Sequence, residues 1–300
     1  MPTTEPGGPW GFKSFNTGRT GNPAHAEFVG TRAVKPTWSK KRPPRDAPRH
    51  AERPTDAADA GGIRIFGIHA VEAVLRNDRR TIKRVLVTDN AERRLAEALA
   101  ARKVEPIRVA PRDLDRDLGD DTVHQGALVM TEPLPEPTLE DLCAAAEHGG
   151  PLIVLDQVTD PHNVGAILRS AAGFGASGLI MTRRHSPPLA GALAKTASGA
   201  LEHVPVALVG NLAQALAVMA EAYVRRLGLD GDAEMLIDTE TFAGATALVL
   251  GAEGKGLRRL TRDLCDGLCR IGASGGLASL NVSNAAAVAL YAASMRRRKT

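Results

Sequence analysis

The sequence is poor in the features that mark membrane, secreted and metal-binding proteins. No stretch approaches the roughly 20 consecutive apolar residues of a membrane-spanning helix, and the first residues lack a basic-then-apolar signal pattern. The cysteines (Cys143, Cys265 and Cys269) are too few, and odd in number, for a disulfide framework. No Cys-x-x-Cys or His-x-x-x-His spacing accompanies them. We therefore expect a cytoplasmic protein without a metal ion.

The sequence also lacks the common signatures of nucleotide-binding enzymes. No Gly-x-Gly-x-x-Gly follows a predicted strand, as a dinucleotide-binding dehydrogenase requires. Gly254-Lys255 is followed by Gly256 where a Walker phosphate loop has Ser or Thr. Glu253 in the same segment would repel a polyphosphate. These observations argue against a dehydrogenase and against a P-loop NTPase.

Residues 1–62 differ in composition from the rest of the chain. They hold nine of the 19 prolines and eight of the 30 glycines. Such a segment buries too little apolar surface to offset its ordering entropy, which predicts a disordered tail. Its ten Lys or Arg against six Asp or Glu give a net charge of +4, and both tryptophans lie in it. This composition suits contacts with single-stranded nucleic acid, and it equally suits a solvated extension with no specific role.

Residues 63–131 carry the pattern of a small α/β domain. Helices are predicted at 68–76 and 92–102, and strands at 84–87, 106–109 and 127–130. Three prolines between Glu132 and Pro137 then interrupt regular structure. We assign residues 132–150 to a linker and to the first helix of a second domain.

Residues 151–300 alternate short apolar runs with helical patterns. Strands are predicted at 152–155, 178–181, 204–206, 235–237, 247–250 and 268–271, and helices at 164–174, 189–198, 212–227, directly after Gly256, and at 284–298. Short apolar strands that alternate with helices indicate a parallel sheet covered on both faces. The second domain is therefore predicted to be α/β.

Three polar segments of this second domain fall where ligands bind in open α/β sheets. The first runs from Asn163 to Arg169 and the second from Gly251 to Gly256, each after a predicted strand. The third, Ser279 to Asn284, opens the final predicted helix. Their arginine, glutamate, asparagine, serine and glycine residues suit a polar cofactor and an anionic substrate. The three segments predict a catalytic site.

The same segments resemble the three motifs of the SpoU/TrmH-type RNA ribose 2′-O-methyltransferases, which belong to the SPOUT superfamily. The matching patterns are Asn163-x-Gly165-x-x-x-Arg169, Gly251-Ala252-Glu253-Gly254 and Ser279-Leu280-Asn281-Val282-Ser283. The resemblance covers residues 151–296. The stretch from Phe66 to Gly126 also resembles the RNA-binding domain of the ribosomal-RNA members, marked by Gly67-Ile68-His69-Ala70-Val71 and His124-Gln125-Gly126. Three motifs in order form a specific signal, which no single one of them provides.

The resemblance implies a fold, a cofactor and an assembly. The expected architecture is a C-terminal, trefoil-knotted methyltransferase domain with a parallel sheet, preceded by the small α/β RNA-binding domain and the tail. S-adenosylmethionine is the expected methyl donor, with contacts at Gly251, Ile271 and Leu280. A homodimer with its active site near the subunit interface is expected. The family usually has a proline after the residue that matches Ile271, and this chain has Gly272 there.

The resemblance also implies catalytic roles. Arg169 is expected to bind the phosphate beside the target ribose and to assist removal of the 2′-hydroxyl proton, although a permanently protonated arginine is a poor base. Asn163 and Glu253 are expected to orient that arginine and the neighbouring loops. Asn281 and Ser279 are expected to position the ribose hydroxyl or the cofactor. The alternatives are a solvent-exposed arginine at 169 and helix caps at the asparagines and at the serine.

The function implied is 2′-O-methylation of a ribose, expected to be that of a guanosine in 23S ribosomal RNA. A tRNA ribose methyltransferase is the alternative within the same class. A non-catalytic RNA-binding protein of ribosome assembly is the alternative from another class, and the intact motif residues argue against it. The sequence does not separate housekeeping modification from a resistance enzyme.

Overall fold

The computed structural model describes residues 62–272 and 280–297, which build two β-sheets with helices packed on them. Apart from Gly62, the tail predicted over residues 1–62 lies outside the described residues, and so does Ser279. Within the described part, no helix combines the length and the apolar composition needed to cross a membrane.

The first sheet has four strands in the order β1-β4-β2-β3. Its elements are β1 (Ile63–Phe66), α1 (Ile68–Arg76), β2 (Ile82–Val87), α2 (Asp89–Arg102), β3 (Ile107–Arg108), α3 (Pro111–Leu118) and β4 (Ala127–Thr131). β4 pairs antiparallel with both β1 and β2, and β3 pairs parallel with β2. The predicted helices and strands of this region are confirmed. α3 was not predicted, because Leu114 is its one buried side chain and no apolar period marks it.

The second sheet has seven strands in the order β7-β6-β5-β10-β8-β11-β9, and every pairing is parallel. Its strands are β5 (Leu152–Asp156), β6 (Gly178–Thr182), β7 (Val206–Val209), β8 (Arg225–Leu229), β9 (Met235–Leu236), β10 (Thr246–Gly251) and β11 (Gly267–Arg270). The helices are α4 (Leu139–His148), α5 (Pro161–Gly173), α6 (Gly191–Ala197), α7 (Leu212–Glu221), α8 (Arg259–Asp263) and α9 (Val282–Arg297). The predicted parallel α/β sheet is confirmed.

Two predictions in the second sheet were wrong. The strand predicted over residues 204–206 begins only at Val206 and continues to Val209 as β7. The helix predicted over residues 212–227 ends at Glu221, and the chain then forms β8. Tyr223 takes a positive φ of 56° between them, which no helix accommodates. The apolar spacing continues through the turn because Val224 and Leu227 are buried in the core, so periodicity alone did not show the break.

The two sheets share one continuous hydrophobic core. Val71 and Val74 of α1 belong to the same buried cluster as Ile167 of α5 and Ala197 of α6. The approach is close at Gly199, where an added Cβ would lie 2.7 Å from Cβ of Ala73. The helix that follows the first strand therefore packs on α6 and on the turn after it, and α6 packs in turn on α5, which carries the first motif.

Candidate active site

The site forms at the carboxyl edge of the second sheet, where two neighbouring strands end. Gly251 at the end of β10 is paired in register with Asp156 at the end of β5. Because the strands are parallel, the loop after each one emerges at the same edge. The start of α5 and the loop after β10 are thereby placed side by side.

Asp160, and not Asn163, caps α5. Its carboxylate accepts a hydrogen bond from the backbone N–H of His162 at 2.9 Å, and Pro161 fills the first helical position. The capping alternative for Asn163 is therefore wrong. Its side-chain amide is left to make other contacts.

The side chains of Asn163, Glu253 and Asn281 meet in one polar group, here called the amide–carboxylate cluster. Asn281 Nδ2 donates to Asn163 Oδ1 at 3.1 Å. Asn163 Nδ2 and Asn281 Nδ2 each lie 3.4 Å from Glu253 Oε2. Each of the three sequence motifs supplies one member. The fold thus brings together residues that lie up to 118 positions apart in the chain.

Asn281 makes two sets of contacts in the structure, and the first of them is the helix cap given above as its alternative. Its Oδ1 accepts from the backbone N–H of Ser283 at 2.9 Å and from Ser283 Oγ at 2.6 Å, directly before α9 begins. Its Nδ2 meanwhile donates into the amide–carboxylate cluster. The helix cap fixes the side chain, and the fixed side chain presents its N–H groups to the cluster.

The loop after β10 closes tightly on itself. Gly256 N donates to Ala252 O at 2.9 Å, and Gly254 and Gly256 have positive φ angles of 75° and 64°. A Cβ added at Gly251 would lie 2.1 Å from the carbonyl carbon of Gly256. The glycines are therefore required by the geometry that places Glu253 in the cluster.

An ion pair between a buried aspartate and a half-exposed arginine, which the sequence did not reveal, holds the far end of this loop. Asp156 has no exposed surface, and it accepts from Arg258 N at 3.1 Å and from Arg258 Nε at 2.6 Å. The available signal was an acid at the end of an apolar strand and an arginine just after the glycine-rich loop. Their separation of 102 residues hid the pairing.

Arg169 lies apart from the amide–carboxylate cluster. Six residues along α5 separate it from Asn163, which amounts to about 9 Å along the helix axis and about 120° around it. The side chain is exposed and makes no hydrogen bond or ion pair with the described residues. Among the residues that the structure describes, none pairs with the guanidinium of Arg169.

The residues expected at the cofactor lie on the same edge of the sheet. Ile271 follows β11 and is half-buried against the core, while Leu280 is 39% exposed and directly precedes Asn281. A Cβ at Gly272 would lie 3.2 Å from the side chain of Leu236, so a larger residue at this position would require that leucine to move. Ser279 lies outside the described residues.

The cysteines are buried or half-buried free thiols. Burial raises the pKa of the Cys265 thiol to about 11 and that of the Cys269 thiol to about 12. Cys265 Sγ donates to the carbonyl of Thr261 at 3.2 Å. Across residues 62–272 and 280–297, no group of three or more His, Cys, Asp or Glu side chains is arranged to hold a metal ion.

The sequence matches two family profiles. The profile of the SpoU rRNA Methylase family matches residues 150–291, and that of RNA 2′-O ribose methyltransferase substrate binding matches residues 64–137. The two matches fall on the second and the first sheet respectively. They include all members of the amide–carboxylate cluster.

Curated relatives and solved structures agree with these matches. The 23S rRNA (guanosine-2′-O-)-methyltransferase RlmB of Pseudomonas putida is 38% identical over 240 residues, which cover 78% of this chain and 96% of that protein. The enzyme of the same name from Ralstonia nicotianae is 40% identical over 237 residues, with 78% and 95% coverage. The crystal structure of the SpoU methyltransferase AviRb from Streptomyces viridochromogenes, in complex with AdoMet, superposes with a TM-score of 0.67 at 25% identity, covering 80% of this chain and 91% of that one.

Proposed function

The chain belongs to the SpoU rRNA methylase family, and on that premise we propose that it methylates the ribose 2′-oxygen of a guanosine in 23S ribosomal RNA, with S-adenosylmethionine as methyl donor. It is an RNA 2′-O-ribose methyltransferase. The observation that carries the proposal is the amide–carboxylate cluster, because it unites one residue from each of the three motifs. A ribosomal-RNA substrate supports a cytoplasmic location for the protein.

The relatives favour ribosomal RNA over the tRNA alternative. Those at 38–40% identity carry the 23S rRNA guanosine name, and they match this chain through both sheets. The substrate-binding profile covers the first sheet as well. A non-catalytic assembly factor is disfavoured because the cluster retains its three members in mutual contact.

The residues at the sheet edge fit S-adenosylmethionine. The backbone of Gly256 fills the Cβ position of Gly251, which keeps the loop from Gly251 to Leu257 tightly folded. A Cβ at Gly254 or Gly256 would meet no atom of the described residues within 4 Å, so a ligand can approach the loop backbone at those two glycines. Ile271, after the parallel strand β11, and Leu280, directly before Asn281, offer partly exposed apolar side chains suitable for the face of an adenine ring. These three residues are proposed to hold the cofactor, which supplies an electrophilic methyl group when bound.

The remaining site residues are proposed to orient the RNA. Arg169 binds the phosphate beside the target ribose, since its guanidinium is exposed and has no partner among the described residues. Asn163 and Asn281 offer amide groups to the ribose hydroxyl, and Glu253 holds both amides in place. Ser279, next to Leu280 in the third motif, is proposed to assist Asn281. Catalysis then rests largely on bringing the 2′-oxygen into line with the methyl group.

We further propose the expected trefoil knot. The last strand along the chain, β11, lies beyond β8, whereas α9 returns to pack on α5 beside β5. The return places Asn281 against both Asn163 and Glu253. A chain end that comes back past the loop of β10 supports a threaded arrangement, an exception to the rule that loops are not threaded.

A homodimer is proposed through the exposed face of α9. Val288, Tyr291 and Met295 lie three and four residues apart on one side of this helix and are 40%, 53% and 39% exposed. α9 packs on α5, which carries Arg169, so a second subunit seated on α9 would adjoin that arginine. An apolar stripe of this kind is typical of a protein interface.

Replacing Tyr291 with arginine is expected to convert the dimer to monomers and to abolish most of the activity, because a charge would be buried in the interface. Analytical ultracentrifugation and methyl-transfer assays check this. The control is Tyr223→Arg, at a tyrosine that is 93% exposed and lies outside the stripe. A Tyr291→Arg protein that stayed dimeric would contradict the proposed interface.

The tail is proposed to strengthen RNA binding through charge alone. Residues 32–53 hold eight Lys or Arg against two Asp or Glu, a net +6, whereas residues 1–31 hold two of each. Deleting residues 1–61 is expected to weaken RNA affinity and to reduce the slope of log affinity against log salt by about one to three, as fewer counterions are released. Deleting residues 1–31 should leave the slope unchanged. Filter binding at several salt concentrations measures both, and equal slopes for all three proteins would refute the proposal.

The substrate assignment is tested by mapping ribose methylation in RNA from a strain that lacks this protein. We expect one guanosine of 23S ribosomal RNA to lose its 2′-O-methyl group and to regain it on complementation. Loss of a methyl group from a tRNA instead would favour the alternative within the class.

A further inference from the structure

A buried ion pair joins the first sheet to the second. The side chains of Arg80 and Glu202 are only 2% and 3% exposed. Arg80 Nε donates to Glu202 Oε2 at 2.9 Å, and Arg80 Nη2 donates to Glu202 Oε1 at 2.8 Å. The guanidinium and the carboxylate therefore form a bidentate ion pair. Arg80 lies between α1 and β2, while Glu202 lies in the 3-10 turn that follows α6.

The surrounding polar groups complete this pair, here called the interdomain latch. Asn77 Nδ2 adds a third hydrogen bond to Glu202 Oε2 at 2.7 Å. The third guanidinium nitrogen, Arg80 Nη1, donates to the backbone carbonyl of Glu132 at 2.8 Å. Glu132 directly follows β4, the last strand of the first sheet along the chain. Among the described residues, no buried side-chain nitrogen or oxygen lacks a partner. The latch therefore ties one carboxylate of the second domain to the connection between α1 and β2 and, through Arg80, to the end of β4.

The latch fixes an orientation as well as a contact. The hydrophobic core that the two sheets share is non-directional, so it holds them in contact without selecting one angle between them. A bidentate ion pair between buried side chains allows the two domains little relative rotation. Rotation would break its hydrogen bonds, and water cannot reach the buried groups to replace them. The tight packing of α1 against Gly199, three residues before Glu202, restricts sliding along the same seam.

A short path leads from the latch to the amide–carboxylate cluster. Glu202 follows α6, and α6 packs on α5 so closely that a Cβ at Gly165 would lie 2.7 Å from Thr196 Cβ. Thr196 Oγ1 lies 3.2 Å from Nδ1 of His162, the residue before Asn163. The packed helices α6 and α5 thus connect the latch to the first motif, so the position of one depends on that of the other.

We propose that Arg80 and Glu202 are positioning residues that hold the RNA-binding domain at one angle to the catalytic edge, so that RNA bound by the first sheet presents its target ribose to the amide–carboxylate cluster. This inference rests on the proposed function, because it concerns how that site receives its RNA. The latch touches neither the RNA nor the cofactor. Its loss should therefore slow transfer without weakening either ligand.

The test replaces Glu202 with glutamine in the full chain and compares three measurements with the unmodified protein. S-adenosylmethionine affinity by calorimetry and 23S rRNA affinity by filter binding should stay within about twofold. The single-turnover transfer rate should fall between about 10-fold and 100-fold, the scale of an ångström-level misplacement of reactants. The matched control is Glu97→Gln, which removes an exposed carboxylate that pairs with Arg76 of α1.

Each outcome decides the proposal. A transfer rate equal to that of the unmodified protein would overturn it, and so would an equal loss of both affinities, which would show a merely structural role. Should Glu202→Gln fail to bind S-adenosylmethionine at all, Glu202→Asp, which keeps the charge on a shorter side chain, is measured against the same criteria. If the unmodified protein itself does not methylate 23S rRNA, the proposed function fails, and the latch is judged on the RNA that the protein does methylate.

Discussion

Replacing Arg169 with alanine is expected to lower the rate of methyl transfer by about 100- to 1000-fold, the cost of removing one preorganised charged donor from an active site. The reason is the exposed position of the guanidinium, which has no partner among the described residues and lies about 9 Å along α5 from Asn163. S-adenosylmethionine affinity should change little, because the proposed cofactor residues lie on other elements. Calorimetry and radiolabel transfer measure the two quantities separately.

The control for this experiment is Arg259→Ala. Arg259 has a side chain that is 95% exposed and lies on α8, so its replacement removes the same charge from outside the site. Its transfer rate should match that of the unmodified protein. Full activity in Arg169→Ala would show that Arg169 is only a surface arginine, the alternative that its sequence position left open.

Replacing Gly251 with alanine is expected to weaken S-adenosylmethionine binding by about 10- to 100-fold, the equivalent of the 1–3 kcal/mol that overpacking typically costs. The added Cβ would lie 2.1 Å from the carbonyl carbon of Gly256 and 2.3 Å from the backbone nitrogen of Leu257. These neighbours are backbone atoms, so no side-chain rotation relieves the clash. The loop must open, and Glu253 moves with it.

Gly210→Ala is the matched control, since an added Cβ there meets no atom within 4 Å. It should bind the cofactor as the unmodified protein does. Unchanged S-adenosylmethionine affinity in Gly251→Ala, together with reduced RNA affinity, would assign this loop to the RNA and not to the cofactor.

The sequence predicts the second sheet well because its strands are short apolar runs buried on both faces. β5 and β10 were located within one residue at each end for this reason. β8 was missed because its buried residues continue the apolar spacing of α7, and the positive φ at Tyr223 that separates them is not visible in composition. Periodicity reports burial, and burial does not distinguish a helix that continues from a strand that comes after it.

The sequence predicted which residues form the site, but not how their side chains are arranged. Motif order pointed to Asn163, Glu253 and Asn281, yet only the register of β5 beside β10 and the return of α9 show that they touch. A cap at Asn163 stayed an open alternative because both Asp and Asn suit that position, and the structure places the cap at Asp160. The interdomain latch had no sequence signal, since its two charged residues lie 122 positions apart and resemble ordinary surface charges.

The most direct test of the central claim uses the purified full chain with 23S ribosomal RNA and S-adenosylmethionine that carries a labelled methyl group. The RNA is then digested to nucleosides, which are identified by mass spectrometry. We predict that the label appears in 2′-O-methylguanosine, at one position of the RNA. Label on a nucleobase, on the ribose of another nucleoside, or in no nucleoside of the 23S RNA would contradict the proposed function.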